Sequence, residues 1–173
     1  GASWGAVDVS GLGLSGTNIT SLATDGGNNW IFGQNAKVYA SSNHGVGWYL
    51  LKDFDDNSNI HEAAYSNNKW YVFRTDVGGN NVAEKVGVAT SASSGSWVDS
   101  ADLGIGDAGR AMFASVSTGS AAQSTVIVVN SNDVARSVDS GANFTLLTNS
   151  LPHGSARSVV SDGAGNWVIS HDS

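Results

Sequence analysis

The groups able to grip a charged ligand are few in this chain and unevenly placed. All four arginines, Arg74, Arg110, Arg136 and Arg157, stand in polar loops or at the ends of the apolar runs beside them, and Lys37 and Lys85 join them. A guanidinium is a planar fork of N–H donors that fits a carboxylate bidentately. A cluster of such forks would hold an acidic ligand. The same loops carry Asp53, Asp55, Asp56, Asp76, Glu84, Asp107 and Asp133, so the cations can equally serve to balance neighbouring carboxylates. His61 and Glu62 add an adjacent pair of titratable groups near this basic set. A histidine beside a carboxylate is also an ordinary surface feature.

Other patterns lead to less. Asp53, Asp55, Asn57 and Asn59 space their oxygens somewhat as a calcium loop does, but Ser58 stands where the turn glycine belongs and Ala64 where the closing glutamate belongs. A solvated turn is the main reading, with a weak calcium site near Asp53, Asp55 and Asn57 as the alternative. Gly11–Gly16 and Gly104–Gly109 both match G-x-G-x-x-G, yet each leads into a strand-like run. Cradling a phosphate requires a helix N-terminus at that place. His44, His61, His153 and His171 are scattered and form no zinc spacing, and the chain has no cysteine.

Composition narrows the classes of partner. The formal net charge is −7 and charged residues make up 13% of the 173 positions. A nucleic-acid backbone would be repelled by that balance. No apolar run approaches the roughly 18 residues of a membrane helix, and no signal-peptide pattern opens the sequence. With 22 glycines and one proline, many Ser, Asn and Ala, and 40% hydrophobic residues, the chain suits short strands joined by tight turns.

Those strands fall into repeats. Ser137-x-Asp139-x-Gly141-x-x-Phe144 has a near copy in Ser41-x-Asn43-x-Gly45-x-x-Trp48 and a degraded one running from Thr90 to Trp97, where Ala92 and Ser94 replace Asp and Gly. A second landmark precedes each: Trp30 in "NNWIFG", Trp70 in "NKWYVF", Thr125 in "STVIVV", and then Trp167 in "GNWVIS". Four β-rich runs fill each repeat, and no segment holds a helical period. The repeats span about 17–54, 59–103 and 109–151, and a last blade is expected to be shared between 155–173 and 1–11. The fold expected is all-β, a β-propeller of four-stranded antiparallel blades, about four per chain, in a single domain over 1–173. Its ring is completed by oligomerisation or by further sequence.

Ser/Thr-x-Asp-x-Gly-x-x-Trp/Phe resembles the Asp-box, or BNR repeat, of sialidase-like β-propellers. The resemblance implies that Ser41, Asn43, Gly45, Trp48, Thr90, Trp97, Ser137, Asp139, Gly141 and Phe144 are structural, on the face away from any ligand. It places the arginines, Lys37, Lys85, Asp55, His61 and Glu62 towards the opposite, loop-bearing face. A sialidase also needs a tyrosine nucleophile, and Tyr39 and Tyr65 are unsuitably placed; the family's Arg-Ile-Pro segment is missing from this sequence. The expectation is therefore a non-catalytic binding or structural module recognising a glycan or a protein surface. A composition similar to bacteriophage structural and tail proteins implies a virion or extracellular setting. The alternatives are a fragment of a glycoside hydrolase and a protein-docking assembly factor. No catalytic residue and no metal ligand is expected.

Overall fold

The computed structural model describes residues 6–14, 19–55, 58–76, 84–92, 96–101, 103, 105, 113–118, 124–130, 133–147 and 156–172. They form four antiparallel sheets. The first contains β1 (Ser21–Thr24), β2 (Trp30–Gln34), β3 (Lys37–Ser41) and β4 (Tyr49–Asp53) in sequence order. The second contains β5 (Ser58–Ser66), β6 (Lys69–Asp76), β7 (Glu84–Ala89) and β8 (Val98–Asp99), again in order. The third repeats the meander with β9 (Phe113–Thr118), β10 (Ser124–Asn130), β11 (Asp133–Ser137) and β12 (Thr145–Leu147). The fourth pairs β13 (Ala156–Ser161) with β14 (Trp167–His171).

Side chains alternate across each strand, and in these sheets both faces are apolar. Ala23, Ile31, Val38, Ala40 and Leu51 pack from the first sheet onto Ile60, Ala63, Trp70, Val72 and Ala89 of the second. The opposite face of the second sheet, through Tyr71, Phe73 and Val86, meets Val126, Val128 and Ala135 of the third. Ile127, Val129 and Val134 then cover Ala156 and Val159 of the fourth. The first strands β1, β5, β9 and β13 lie beside one another in that succession.

The tightest of these contacts lies between the first two sheets. A Cβ on Gly33 would stand 2.4 Å from Ile60 Cγ2, so only glycine fits. Polar bonds fix the same approach: Ile60 N–H donates to Asn35 O at 2.9 Å, and the Thr20 hydroxyl reaches Ile60 O at 2.6 Å.

At the two ends of the succession some apolar side chains stay exposed, although Phe32 and Tyr39 at the centre of the first sheet's outer face are buried. Leu22, Phe32, Tyr39 and Leu50 are register neighbours on the first sheet, facing away from the second. Phe32 stacks on Tyr39 with ring centroids 4.9 Å apart and Trp48 leans on Phe32, while Leu22 and Leu50 remain about half exposed. On the fourth sheet Val160 sits opposite Val168, and these are 56% and 67% exposed.

The strand expected near the N-terminus is a point of difference. Residues 1–5 lie outside those described, and 6–14 join no ladder. The Asp8 carboxylate instead accepts the Ser10 N–H at 2.9 Å, Leu12 N–H closes on Val9 O, and a turn of 3-10 helix over Ser10–Leu12 ends at Gly13 in the left-handed conformation. An aspartate that bonds its own backbone two residues on competes with a strand ladder. The fourth sheet accordingly holds two strands among the described residues.

Gly33→Ala should destabilise the protein by about 1–3 kcal/mol through overpacking, measured by denaturant unfolding. Because the nearest obstacle is Ile60 Cγ2, with Ile60 Cβ behind it at 2.9 Å, Gly33→Ala should cost less, though still something, in an Ile60→Ala background. Equal costs in the two backgrounds would refute the contact.

Candidate functional site

The first strand of the second sheet carries a bulge. Ile60 pairs with Arg74 and Glu62 with Phe73, which leaves His61 as the extra residue. A bulge re-aims side chains and interrupts pairing. His61 is half-buried and its Nε2 lies 2.8 Å from Thr75 Oγ1, on a threonine that is fully buried. Burial pushes the His61 imidazole below its ordinary pKa. Burial likewise pushes the Glu62 carboxyl above its ordinary range, with a smaller opposing effect from the Ala63 N–H. Both residues of this sequence-adjacent pair are thus partly desolvated.

Arg74 is buried on the same sheet end, directly across the β6–β7 ladder from Lys85. Its guanidinium lies over the Phe54 ring, 3.9 Å from the centroid, and its Nη2 pairs with the Asp99 carboxylate. Phe54 is also edge-on to Trp97 at 6.1 Å. This loop aromatic, suited by type to stack on a sugar, is thus engaged by a cation of the next sheet.

The remaining cations belong to separate sheets. Lys37 pairs with Asp53 at 2.9 Å, and the Asp53 carboxylate also accepts the Asp55 N–H at 3.0 Å. Lys37 first, and then that N–H, holds Asp53 below the usual carboxylate range. Arg157 Nε donates to both oxygens of Asp172 at 2.9 Å, fully in the open. Arg136 is exposed beside Val138, Asp139 and Thr145, towards the turn end of the third sheet. Arg110, Asn57, Asp56 and Asp107 lie outside the described residues, as do the side chains of Asp76 and Glu84. Among the described residues, therefore, the basic groups are distributed over four sheets, with Arg74 and Lys85 the two brought side by side. The described residues include no group of three or more His, Cys, Asp or Glu suited to a metal ion.

At the other end of the sheets are the Ser-x-Asp/Asn-x-Gly turns. Ser137 Oγ donates to Asp139 Oδ1 at 2.7 Å and accepts the Gly141 N–H at 2.9 Å, while Asp139 Oδ1 accepts the Asn143 N–H at 2.9 Å. In the first sheet, Ser41 Oγ donates to Asn43 Oδ1 at 2.9 Å, Gly45 N–H donates to Ser41 Oγ at 2.9 Å and Gly47 N–H to Asn43 Oδ1 at 2.8 Å. The bonds match one for one. Gly45 and Gly141 have φ of 80° and 85°, which a Cβ would disfavour. The carboxylate is not required, since an amide oxygen fills its place in one copy. In the second sheet the ladder sets Ala89 opposite Trp70, where the first sheet has Ser41 opposite Trp30. Thr90 therefore stands one residue past the serine's place, which Ala89, with no hydroxyl, occupies.

A second turn motif escaped the sequence reading. Asp25 Oδ1 accepts the Gly27 N–H at 2.8 Å and Asp25 Oδ2 accepts Asn29 Nδ2 at 2.7 Å. Asp162 does the same with Ala164 N–H at 2.7 Å and Asn166 Nδ2 at 2.6 Å. The signal was available in "TDGGNNW" and "SDGAGNW", each ending on a landmark tryptophan. In the first sheet, His44 N–H donates to Asn28 O, so both kinds of turn lie at one end of that sheet.

At that end a cavity of about 300 Å³ opens between β7–β8 of the second sheet and the turn of the third. Val88, Thr90, Val98 and Ser100 form one wall, and the turn residues Asp139–Ala142 form the other. Nothing in the spacing of these residues announced it, because it lies between two repeats.

No protein-family model matches the chain, and no curated protein matches it. Among solved structures, the chain is similar to one described as the crystal structure of the computationally designed Ika4 protein. The TM-score is 0.54 at 12% identity, covering 98% of this chain and 99% of that one. At that identity the likeness speaks for the all-β arrangement alone.

The desolvated pair gives opposite pH signatures. A histidine with a lowered folded pKa supports the fold above its unfolded value near 6.5, and that support is lost as pH falls through the folded value. A glutamate with a raised folded pKa supports the fold below about 4.5 and loses that support as pH rises. Ionised Glu62 therefore weakens the fold at neutral pH. Glu62→Gln should raise the thermal midpoint at pH 7 and leave it unchanged at pH 4, in scans at the two pH values. A midpoint unchanged at pH 7 would show that Glu62 is solvated.

Asp139 makes a separate test. Burial raises its pKa, but hydrogen bonds from Asn143 and Ser137 outweigh that and hold the carboxyl below its ordinary value. Its support for the fold is thus present above about pH 4 and fades in acid. Asp139→Ala should cost about 1–2 kcal/mol, as loss of a buried turn acceptor does. Asp139→Asn should retain most of that, following Asn43, and should flatten the loss of stability below pH 4. Chemical unfolding across pH 3–7 checks both.

Proposed function

We propose that the chain is a sialidase-like β-propeller unit built on Asp-box turns, acting without catalysis as a binding module whose target is a protein surface. The observation that carries this is the exposed apolar side chains at the two ends of the sheet succession, Leu22 with Leu50 flanking the buried Phe32 and Tyr39, and Val160 with Val168. In each internal junction, one sheet's face is covered by the next. The terminal faces are of the same chemical type and are suited to a further sheet from another chain. Contiguous exposed apolar surface is a marker of such contacts, and among the described residues β14 is the last strand of its sheet, an edge of the kind that pairs with another chain.

Glycan recognition through the arginines is a second reading. It is supported by Arg136 and Lys85, which stand outside the ion pairs that engage Arg74, Arg157 and Lys37. The engagement of Phe54 by Arg74 weighs against it, because a sugar site needs a ring face.

Light-scattering chromatography tests the first reading. A mass of at least twice 17.7 kDa is expected, falling to the single-chain mass in Val168→Asp and in Leu22→Asp. A wild type that runs at the single-chain mass and captures no partner in a crosslinking screen would overturn it. A saturable hit on a glycan array, lost in Arg136→Ala, would replace it with the second.

A further inference from the structure

The cavity beside the third sheet's turn has an internal counterpart that is filled. Tyr49 pairs with Ala40 on the first sheet, and Val98 pairs with Val88 on the second. Ala40 is opposite Ile31 and Val88 is opposite Tyr71, and Ile31 and Tyr71 are the residues next to the landmark tryptophans that face the following sheet. Tyr49 and Val98 therefore occupy the same place in successive repeats. Tyr49 extends its phenol across the junction, and its hydroxyl donates to Ala92 O, in the turn of the second sheet, at 3.1 Å. Val98 stops short. It is 69% exposed and its methyls line the 300 Å³ space that faces the third sheet's turn.

We infer that this cavity is a binding site for a phenolic ring, entering where the preceding repeat places the side chain of Tyr49. The volume is adequate: a cavity of about 150 Å³ already accepts benzene, and 300 Å³ lies at the lower end of small-molecule sites. The lining has the right division of labour. Val88 and Val98 offer methyls to the ring, while the turn's backbone offers polar partners to a hydroxyl. Ser100 Oγ already accepts the Val86 N–H and donates to Ala101 O, and Ser140 Oγ accepts the Ser124 N–H. Gly141 keeps its wall thin, since a Cβ there would lie 3.2 Å from Val88 Cγ2. Lys69 and the carboxylate of Asp139 stand at the border, so a neutral phenol avoids a net electrostatic conflict that a fully charged ligand would meet. The site is separate from the terminal faces and does not depend on what covers them.

The experiment is a titration of methyl-labelled protein with p-cresol, followed by the Val88 and Val98 methyl resonances. Saturable shifts at both are expected, with intermolecular NOEs from the cresol ring to these methyls. Toluene should bind at least fivefold more weakly, because it lacks the hydroxyl. Val98→Tyr, which reproduces the first repeat, should weaken p-cresol at least tenfold while keeping a dispersed methyl spectrum. N-acetyltyrosine amide separates the sources: binding tighter than p-cresol assigns a tyrosine presented by a peptide, and weaker binding assigns a free phenol. Absence of saturable shifts in the wild type overturns the proposal. So does equal affinity for toluene, or p-cresol binding unchanged in a folded Val98→Tyr; should that variant not fold, the wild-type NOEs alone decide.

Discussion

Every part of this structure depends on sheets that are apolar on both faces. A short four-stranded meander has little core of its own and gains most of its stability from the faces it buries against its neighbours. In the second sheet Trp70 and Val72 point to one neighbour, Tyr71 and Phe73 to the other. Each sheet is therefore stabilised only as a member of a series, as in repeat proteins generally. That constraint also explains why the junctions are specific. Gly33 must lack a side chain because Ile60 occupies its space, and Thr20 and Asn35 bond to Ile60's backbone from the first sheet. A slip of one residue in β5 would reverse every side chain and break both the polar and the apolar contacts at once.

The turns supply what packing cannot. A hairpin between outer strands has little core to hold it, so its geometry is set by side chains that bond their own backbone. Ser137 and Asp139 do this in the third sheet, Ser41 and Asn43 in the first, with the same acceptors and nearly the same distances. In the second sheet Ala89 has no hydroxyl to do so, and Trp97 packs against the core of the first junction and against Phe54. Trp48 and Phe144 pack in the same way beside their bonded turns, so aromatic burial accompanies all three hairpins.

Much of this was legible in the order of residues. Runs such as "NWIFGQ", "KVYASS" and "TVIVVNS" are β-branched or aromatic and bounded by Asn, Asp or Ser, and each contains a strand. What the sequence left hidden has three physical causes. The bulge at His61 appears only as a slip in alternation, with the buried Ile60 and Ala63 three apart instead of two. The burial of Arg74 follows from its parity with Trp70 and Val72, a signal easily overruled by its charge. The strand expected before residue 12 failed because Asp8 bonds locally, an option that strand propensity does not weigh. The candidate site divides in the same way: adjacency made His61 and Glu62 visible, whereas pairing with Asp53, Asp99 and Asp172 scattered the cations that were expected to act together.

Repetition gives this chain a way to read its own deviations. Where three repeats place equivalent residues at one position, the shared part reflects packing and the differing part reflects what each junction must accommodate. At the start of the fourth strand the series runs Tyr49, Val98, Thr145, paired with Ala40, Val88 and Arg136 in turn. Tyr49 is the long member, Val98 and Thr145 are of one size, and the partner lengthens from Ala40 to Arg136. In the first junction a phenol bridges to the next turn; in the second a cavity remains; in the third Thr145 and Arg136 border a depression of about 230 Å³. The third position faces a sheet with two strands among the described residues, so nothing described opposes Arg136 there. A single place in the repeat thus carries a bridging phenol in the first junction and borders a depression in the other two, against a sheet spacing near 10 Å. The junctions share one scaffold and differ in the space they leave for other molecules.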